Sequence, residues 1–369
     1  MNKYMYFCKL NHVFLKKLPN LDALRFFLAL LVIVFHLPNL SRNQGLPFYN
    51  DLPIFNKGIQ AVYTFFILSG FLIVRLIYLE KETGRFSIRK FYLRRILRIF
   101  PLYYLVLIFG FLFYHMFLPY LGIPFETNYS LKEGLLLSVF FFPNIFAFSH
   151  DPGGILKILW SIGIEEQFYF LIAPLLYFLK KTKILQVLIG IAILYFIVFH
   201  STSSAYLRNH FFVYFYLLSG GVIAILEVEK KLEFLKRSII IPIIILSASL
   251  LFFFTNVFQF KDLWLTNLTA MVLLSLFIHV LSCNNFGIVI KNRIINYLGQ
   301  ISYGIYMLHI IALNAVVFIF IKFKEFAFFN NIFTIILINI LTFALTIILA
   351  HLSYKYFEKP FLKLKTKFR

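Results

Sequence analysis

Cysteine is nearly absent from this chain. Cys8 and Cys283 are the only two in 369 residues, too few for a disulfide scaffold. Charge is also scarce. Charged residues make up 14% of the chain, against roughly 25% in soluble domains. Acidic residues are the rarest of these, 15 against 36 basic ones. There is no CxxC pair, no Walker loop and no GxGxxG, and no internal repeat of the kind that builds inverted-repeat transporters. A cleavable signal peptide is excluded as well. The first apolar run carries Asp22 and Arg25 at its start, and no small-residue cleavage site follows His36. Nothing outside the apolar runs is long enough to form a soluble domain, so residues 1–369 read as one membrane domain.

What the chain does have is apolar surface. Hydrophobic residues reach 61%, and 50 Phe with 22 Tyr lift the aromatics to 20%. No soluble fold of this size buries so much. Disordered, collagenous and disulfide-rich classes fall with the same numbers. The chain reads as an all-α polytopic membrane protein.

A helix needs about 20 mostly apolar residues to cross the hydrocarbon core. Ten stretches qualify, approximately 22–38, 58–79, 99–118, 160–179, 184–200, 211–228, 238–256, 263–282, 299–321 and 327–353. An eleventh, 134–149, is short and runs into Pro143, Asn144 and Pro152. Lys and Arg in short loops are retained in the cytoplasm. Ten spans with both termini inside put 27 basic residues on the inner side and 8 on the outer side. An eleventh crossing would carry Lys180–Lys183 outside, so 119–159 is expected to be an outer segment with a non-spanning helix. A short cytoplasmic segment 1–20 and a basic tail 355–369 complete the topology. Both cysteines then lie on the reducing side. The net charge of +21 follows from retention and from anionic lipid, and no nucleic-acid partner is expected.

Ionisable groups inside spans are costly and mark function. Arg25 and His36 lie eleven positions apart in LDALRFFLALLVIVFH. That is about three turns and roughly 16 Å, so they share one helix face. FFILSGFLI holds the small pair Ser69–Gly70, suited to close helix packing. RRILRIFPLYY places Arg94, Arg95 and Arg98 at the cytoplasmic start of the third span, with Pro101 in its first turn. Retention of positive charge accounts for these arginines, and so does a phosphate site at a helix N-terminus. WSIGIEEQFYF puts Glu165 and Glu166 just inside the outer end of the fourth span, where the macrodipole favours acids. Depth alone suggests that Glu165 meets His36. ISYGIYMLHI carries Tyr303 and a mid-membrane His309, which a hydrogen bond to a neighbouring helix would explain. His12, His115, His150, His200, His210 and His279 show no metal-ligand spacing. Neither a resident metal nor a permanently bound cofactor is expected.

Taken in order, these motifs together with SYKYFEKPF resemble the acyltransferase-3 family of integral membrane O-acyltransferases. The resemblance covers nearly the whole chain. It implies ten spans and transfer of an acyl group, most often acetyl, from cytoplasmic acyl-CoA. The acceptor would be a hydroxyl of a cell-surface or lipid-linked carbohydrate such as O-antigen, peptidoglycan, capsule or exopolysaccharide, at the bacterial cytoplasmic membrane. The family's functional positions fall on Arg25, His36, Arg95 and Arg98 with Arg94 beside them, and on Ser161 and Glu165. Ala23, Tyr63, Thr64 and Ile162 depart mildly from the family pattern. Some relatives carry an esterase-like domain after the membrane part. None is expected here, since only 16 residues follow the last predicted span.

Chemically, an anionic acyl-CoA must dock on the cytoplasmic side, and Arg94, Arg95 and Arg98, with Arg25, are the candidate contacts. His36 is the candidate base or transient acyl acceptor, oriented by Glu165. Ser69, Gly70, Ser161, Glu166, Tyr303 and His309 are placed in support. A transporter or flippase of a lipid-linked sugar or acyl donor is the rival reading.

Overall fold

The computed structural model describes residues 18–368 except 124, 237, 284–286, 288 and 323–330. Cys8, most of the predicted segment 1–20 and the start of the predicted span 327–353 lie outside the described residues. The described residues form helices and connecting turns without strands. The main helices are α1 (Leu21–Asn43), α2 (Gly58–Glu82), α3 (Ile88–Leu112), α4 (Leu131–Val139), α5 (Pro143–Ser149), α6 (Trp160–Phe178), α7 (Lys181–His200), α8 (Tyr214–Val228), α9 (Ile240–Phe254), α10 (Leu263–Cys283), α11 (Arg293–Gln300), α12 (Ser302–Lys322) and α13 (Asn331–Leu352).

The chain is a polytopic membrane protein. Seven of its described helical segments are long and apolar enough to cross a bilayer. The predicted spans 160–179, 211–228 and 238–256 coincide with α6, α8 and α9, which fall short of that test alone. α6 carries Glu165, Glu166 and Gln167. α8 follows a short helix bent from it by 85°. α9 has 15 residues, about 22 Å of helix against a core of about 30 Å.

Segment 119–159 holds no long helix. Ser130 caps α4 by accepting a hydrogen bond from the Glu133 amide at 3.2 Å, the start of a capping box. Phe141 then takes a left-handed conformation at φ 62°, and Pro143 opens α5. The single non-spanning helix expected from sequence is therefore two short ones, because a φ of this sign cannot continue a helix. Nine residues of α4 cover about 14 Å and cannot cross.

Two expected helix boundaries shift. α3 begins at Ile88, capped by Ser87, so Pro101 lies in its interior. Arg94, Arg95 and Arg98 therefore stand two to three turns into the helix, away from the terminal amides on which the phosphate reading relied. Glu165 and Glu166 are the sixth and seventh residues of α6, in its second turn.

At the centre, α2 and α8 cross at backbone contact. A Cβ added at Gly70 would sit 1.9 Å from the Leu217 carbonyl oxygen, and one at Gly220 the same 1.9 Å from that of Ile67. Small residues let membrane helices approach this closely. The packing role read for Gly70 is thus visible in the geometry.

Gly70→Ala or Gly220→Ala should force α2 and α8 apart. Overpacking of this kind costs about 1–3 kcal/mol. Each variant is expected to unfold at lower temperature in detergent, while Gly190→Ala, which meets no neighbour within 4 Å, should match the parent. The proposed ten-span topology is checked by cysteine labelling in whole cells. Thr182→Cys should stay protected, and Ser130→Cys and Ser203→Cys should react with an impermeant reagent.

Candidate active site

The polar side chains of the membrane core form a ladder along one face of α6. Ser161, Glu165 and Tyr169 are spaced at i, i+4 and i+8, which aligns them over about 12 Å. Each rung finds a partner on another helix. At the upper rung, Ser161 and Tyr306 hydroxyls lie 2.6 Å apart, and the Tyr306 hydroxyl donates to the Ile158 carbonyl at 3.0 Å. One turn on, the Glu165 carboxyl accepts from Ser69 at 3.1 Å and from Tyr169 at 2.6 Å. Ser69 and Tyr169 also touch through their hydroxyls. Such partners are required, since an unpaired polar group in hydrocarbon costs several kcal/mol.

Above the ladder lies a cavity of about 1610 Å³ with mostly apolar walls, lined in part by His36, Asn39, Lys157, Trp160 and Tyr306. The His36 ring faces it and packs against His309, with ring centroids 5.2 Å apart. His309 is fully buried, and its Nδ1 lies in hydrogen-bond contact with the Tyr306 carbonyl. Lys157, paired with Asp151 at 2.7 Å, adds a positive field at His36.

Below the ladder lie the arginines. The charges of Arg95 and Arg98 act on Glu165, and that of Arg95 also acts on Glu166. Arg95 Nε and Glu166 Oε1 are buried without a hydrogen-bond partner. Arg25 is ion-paired to Asp22 at 2.7 Å and feels the charge of Arg98. Tyr303 donates to the Ile99 carbonyl at 2.9 Å, within range of the Glu358 and Glu166 charges. Glu358 is buried, accepts from Ser353 at 3.0 Å and lies within range of the Arg98 charge.

Two expected partnerships are corrected. Glu165 and His36 are not joined by a hydrogen bond or ion pair among the described residues. The Ser161–Tyr306 contact occupies the rung nearest the cavity, and Glu165 sits one turn farther along, about 5 Å along the axis. Arg94 separates from its neighbours. Its guanidinium is buried against Glu80, with contacts of 2.8 and 2.9 Å, so its positive charge is already matched. A 100° step per residue turns Arg94 toward α2 and Arg95 toward α6.

The sequence reading also missed Tyr169, Tyr306, Asp22 and Glu80. Tyr169 is four residues beyond Glu165, and Asp22 three before Arg25, spacings that place them on one helix face. No sequence signal pairs Glu80 with Arg94 across a turn. His279 was passed over for metal binding, yet it stands four residues before Cys283 on α10, and Glu227 reaches them from α8. The three offer ligand atoms within 4.8 Å of one another. Ser282 donates to Glu227 Oε2 at 2.7 Å, and Arg75 lies 3.6 Å from Oε1. The carboxylate is thereby satisfied and charge-balanced without an ion.

A membrane domain with a ladder of polar side chains through its core, a cavity at one end and an arginine group at the other has the interior of an integral membrane enzyme rather than of a purely apolar bundle. The chain belongs to the family described as "Acyltransferase domain", whose model matches residues 18–351. It is 26% identical over 98% of its length to a Staphylococcus aureus (strain COL) protein provisionally named an O-acetyltransferase, covering 60% of that protein. It is 32% identical over 48% of its length to the peptidoglycan O-acetyltransferase OatA of Listeria monocytogenes, covering 28% of that protein. A Bacillus subtilis protein provisionally named a peptidoglycan O-acetyltransferase is 28% identical over 93% of the chain and 54% of its own length. The chain thus spans about 60% or less of these curated relatives. No solved structure matches it significantly.

The separation of Arg94 from Arg95 and Arg98 is testable. Arg94→Ala should strand the Glu80 carboxylate in a buried setting and destabilise the protein by about 3–5 kcal/mol. Arg94→Met combined with Glu80→Met should recover most of that loss. Thermal unfolding in detergent checks both.

Proposed function

We propose that this protein transfers an acyl group, acetyl in the first instance, from cytoplasmic acyl-CoA to a hydroxyl of a cell-surface carbohydrate at the bacterial cytoplasmic membrane. The observation that carries this reading is the polar ladder, which connects an arginine group to a cavity faced by His36; in this reading the arginines lie on the cytoplasmic side and the cavity on the outer side. Relatives named for peptidoglycan O-acetylation favour a peptidoglycan glycan strand or its precursor over O-antigen or capsule as acceptor.

In this reading Arg95 and Arg98, with Arg25 beside them, hold the phosphates of the donor. Arg94 is left to its structural pair. The donor's flexible arm extends along the roughly 16 Å between Arg25 and His36. His36 takes the proton of the acceptor hydroxyl as that oxygen attacks the thioester carbonyl. The C–S bond breaks, a C–O ester bond forms, and the proton ends on the departing CoA thiol. Glu165, held by Ser69 and Tyr169, balances the arginine charge midway along the ladder.

The experiment uses the protein in proteoliposomes with acetyl-labelled acetyl-CoA and a soluble N-acetylglucosamine oligosaccharide. His36→Ala is expected to remove label transfer, a loss of at least about 10²-fold for a general base, at unchanged accumulation. Arg95→Ala and Arg98→Ala are each expected to weaken acetyl-CoA binding about 10- to 100-fold, the worth of one charge-assisted phosphate contact. Full transfer by the His36 variant, or unchanged donor affinity in both arginine variants, would overturn the corresponding assignment. Glycan movement across the bilayer without acyl transfer would support a flippase instead.

A further inference from the structure

His309 stands out as a buried base without full satisfaction. It is 0% exposed, and its Nδ1 contacts the Tyr306 carbonyl. A carbonyl oxygen only accepts, so Nδ1 carries the proton. Nε2 of the neutral ring is then a lone pair, and it is buried without a hydrogen-bond partner. Leaving such an acceptor unpaired is unfavourable, so its retention calls for an explanation. The His309 ring lies beside that of His36, with centroids 5.2 Å apart at an angle of 44°. His36 lines the outer cavity, whereas His309 does not.

We propose that His309 is the positioning residue for His36, its bare Nε2 accepting the N–H of the His36 ring so that the other His36 nitrogen faces the cavity unprotonated. A neutral imidazole can act on the acceptor hydroxyl only through a nitrogen that carries no proton, and its second nitrogen must then donate. At a centroid separation of 5.2 Å, ring nitrogens turned toward each other stand about 3 Å apart, within hydrogen-bond reach. The arrangement matches the logic of a triad, in which a buried acceptor selects the tautomer of the working histidine. Here the acceptor is uncharged, which spares the membrane core a second ion. The Tyr306 carbonyl sets the tautomer of His309, and the Tyr306 hydroxyl, bonded to Ser161 and Ile158, anchors that turn of α12 to the ladder. This inference rests on the reading of His36 as the group that meets the acceptor.

Two conservative variants separate positioning from packing. The Gln amide of His309→Gln reaches the place of Nε2 and keeps an acceptor toward His36. The shorter amide of His309→Asn reaches the place of Nδ1, keeping the bond to Tyr306 and losing that acceptor. With acetyl-CoA and the N-acetylglucosamine oligosaccharide in proteoliposomes, His309→Gln should retain most of the parent kcat. His309→Asn should lose about 10- to 100-fold in kcat, the worth of one hydrogen bond to a group that becomes charged, with KM for acetyl-CoA unchanged in both. Equal rates for the two variants, or a faster Asn than Gln variant, overturn the proposal. His36→Ala at the parent rate sinks the underlying reading of His36 instead. An inactive His36→Ala alongside equal Gln and Asn variants sinks the His309 assignment alone.

Discussion

The Glu165 carboxyl is the group on which the core arrangement depends. It lies in the membrane interior, where a charge or an unpaired polar atom is costly. Two hydroxyls, from Ser69 on α2 and Tyr169 on α6, close on it, and two arginines of α3 lie within range of its charge. These requirements draw three helices to one point. Close approach of α2 to α8 through Gly70 and Gly220 then completes the packing on the other side. Ser69 and Gly70 are adjacent in sequence, and the 100° step between them lets one bond to the carboxyl while the other admits a backbone.

Charge is distributed by depth. Lys157 lies at the cavity, the histidine pair beneath it, the hydroxyls and carboxyls of α6 in the middle, and Arg95, Arg98 and Arg25 at the other end. A mostly apolar cavity above and a cationic group beneath give the two ends of the ladder different chemistry. The Glu80–Arg94 pair and the Glu227–His279–Arg75 cluster stand beside this route. Each has its charges matched locally.

Much of the site was legible in the linear chain as a set of residues. Arg25, His36, Ser69, Arg95, Arg98, Ser161, Glu165, Tyr303 and His309 are each buried or half-buried. Their partners were less legible. Depth counted in residues made Glu165 the natural neighbour of His36, but a difference of one helical turn gave that place to Tyr306 and His309. The arginine motif was read against a helix start placed at residue 99. The helix actually starts at Ile88, so the anion-binding argument from terminal amides lost its basis. The i, i+4 relation of His279 to Cys283 was visible in sequence, yet Glu227 reaches it only because α8 and α10 pack together.

Composition, apolar run length and the distribution of Lys and Arg determined by themselves that this is a polytopic helical membrane protein. They also marked the stretch near residues 134–149 as unable to cross. These properties are local: a run is long enough or it is not, and a basic loop is retained or it is not. Tertiary structure decided which polar groups satisfy one another. Arg94 turned away to Glu80 while Arg95 and Arg98 stayed within range of the Glu165 charge, Tyr306 stood between Ser161 and His309, and His36 faced the cavity. Such pairings depend on helix rotation and on differences of a single turn between elements far apart in the chain. Neither quantity is encoded in the spacing of residues along one helix.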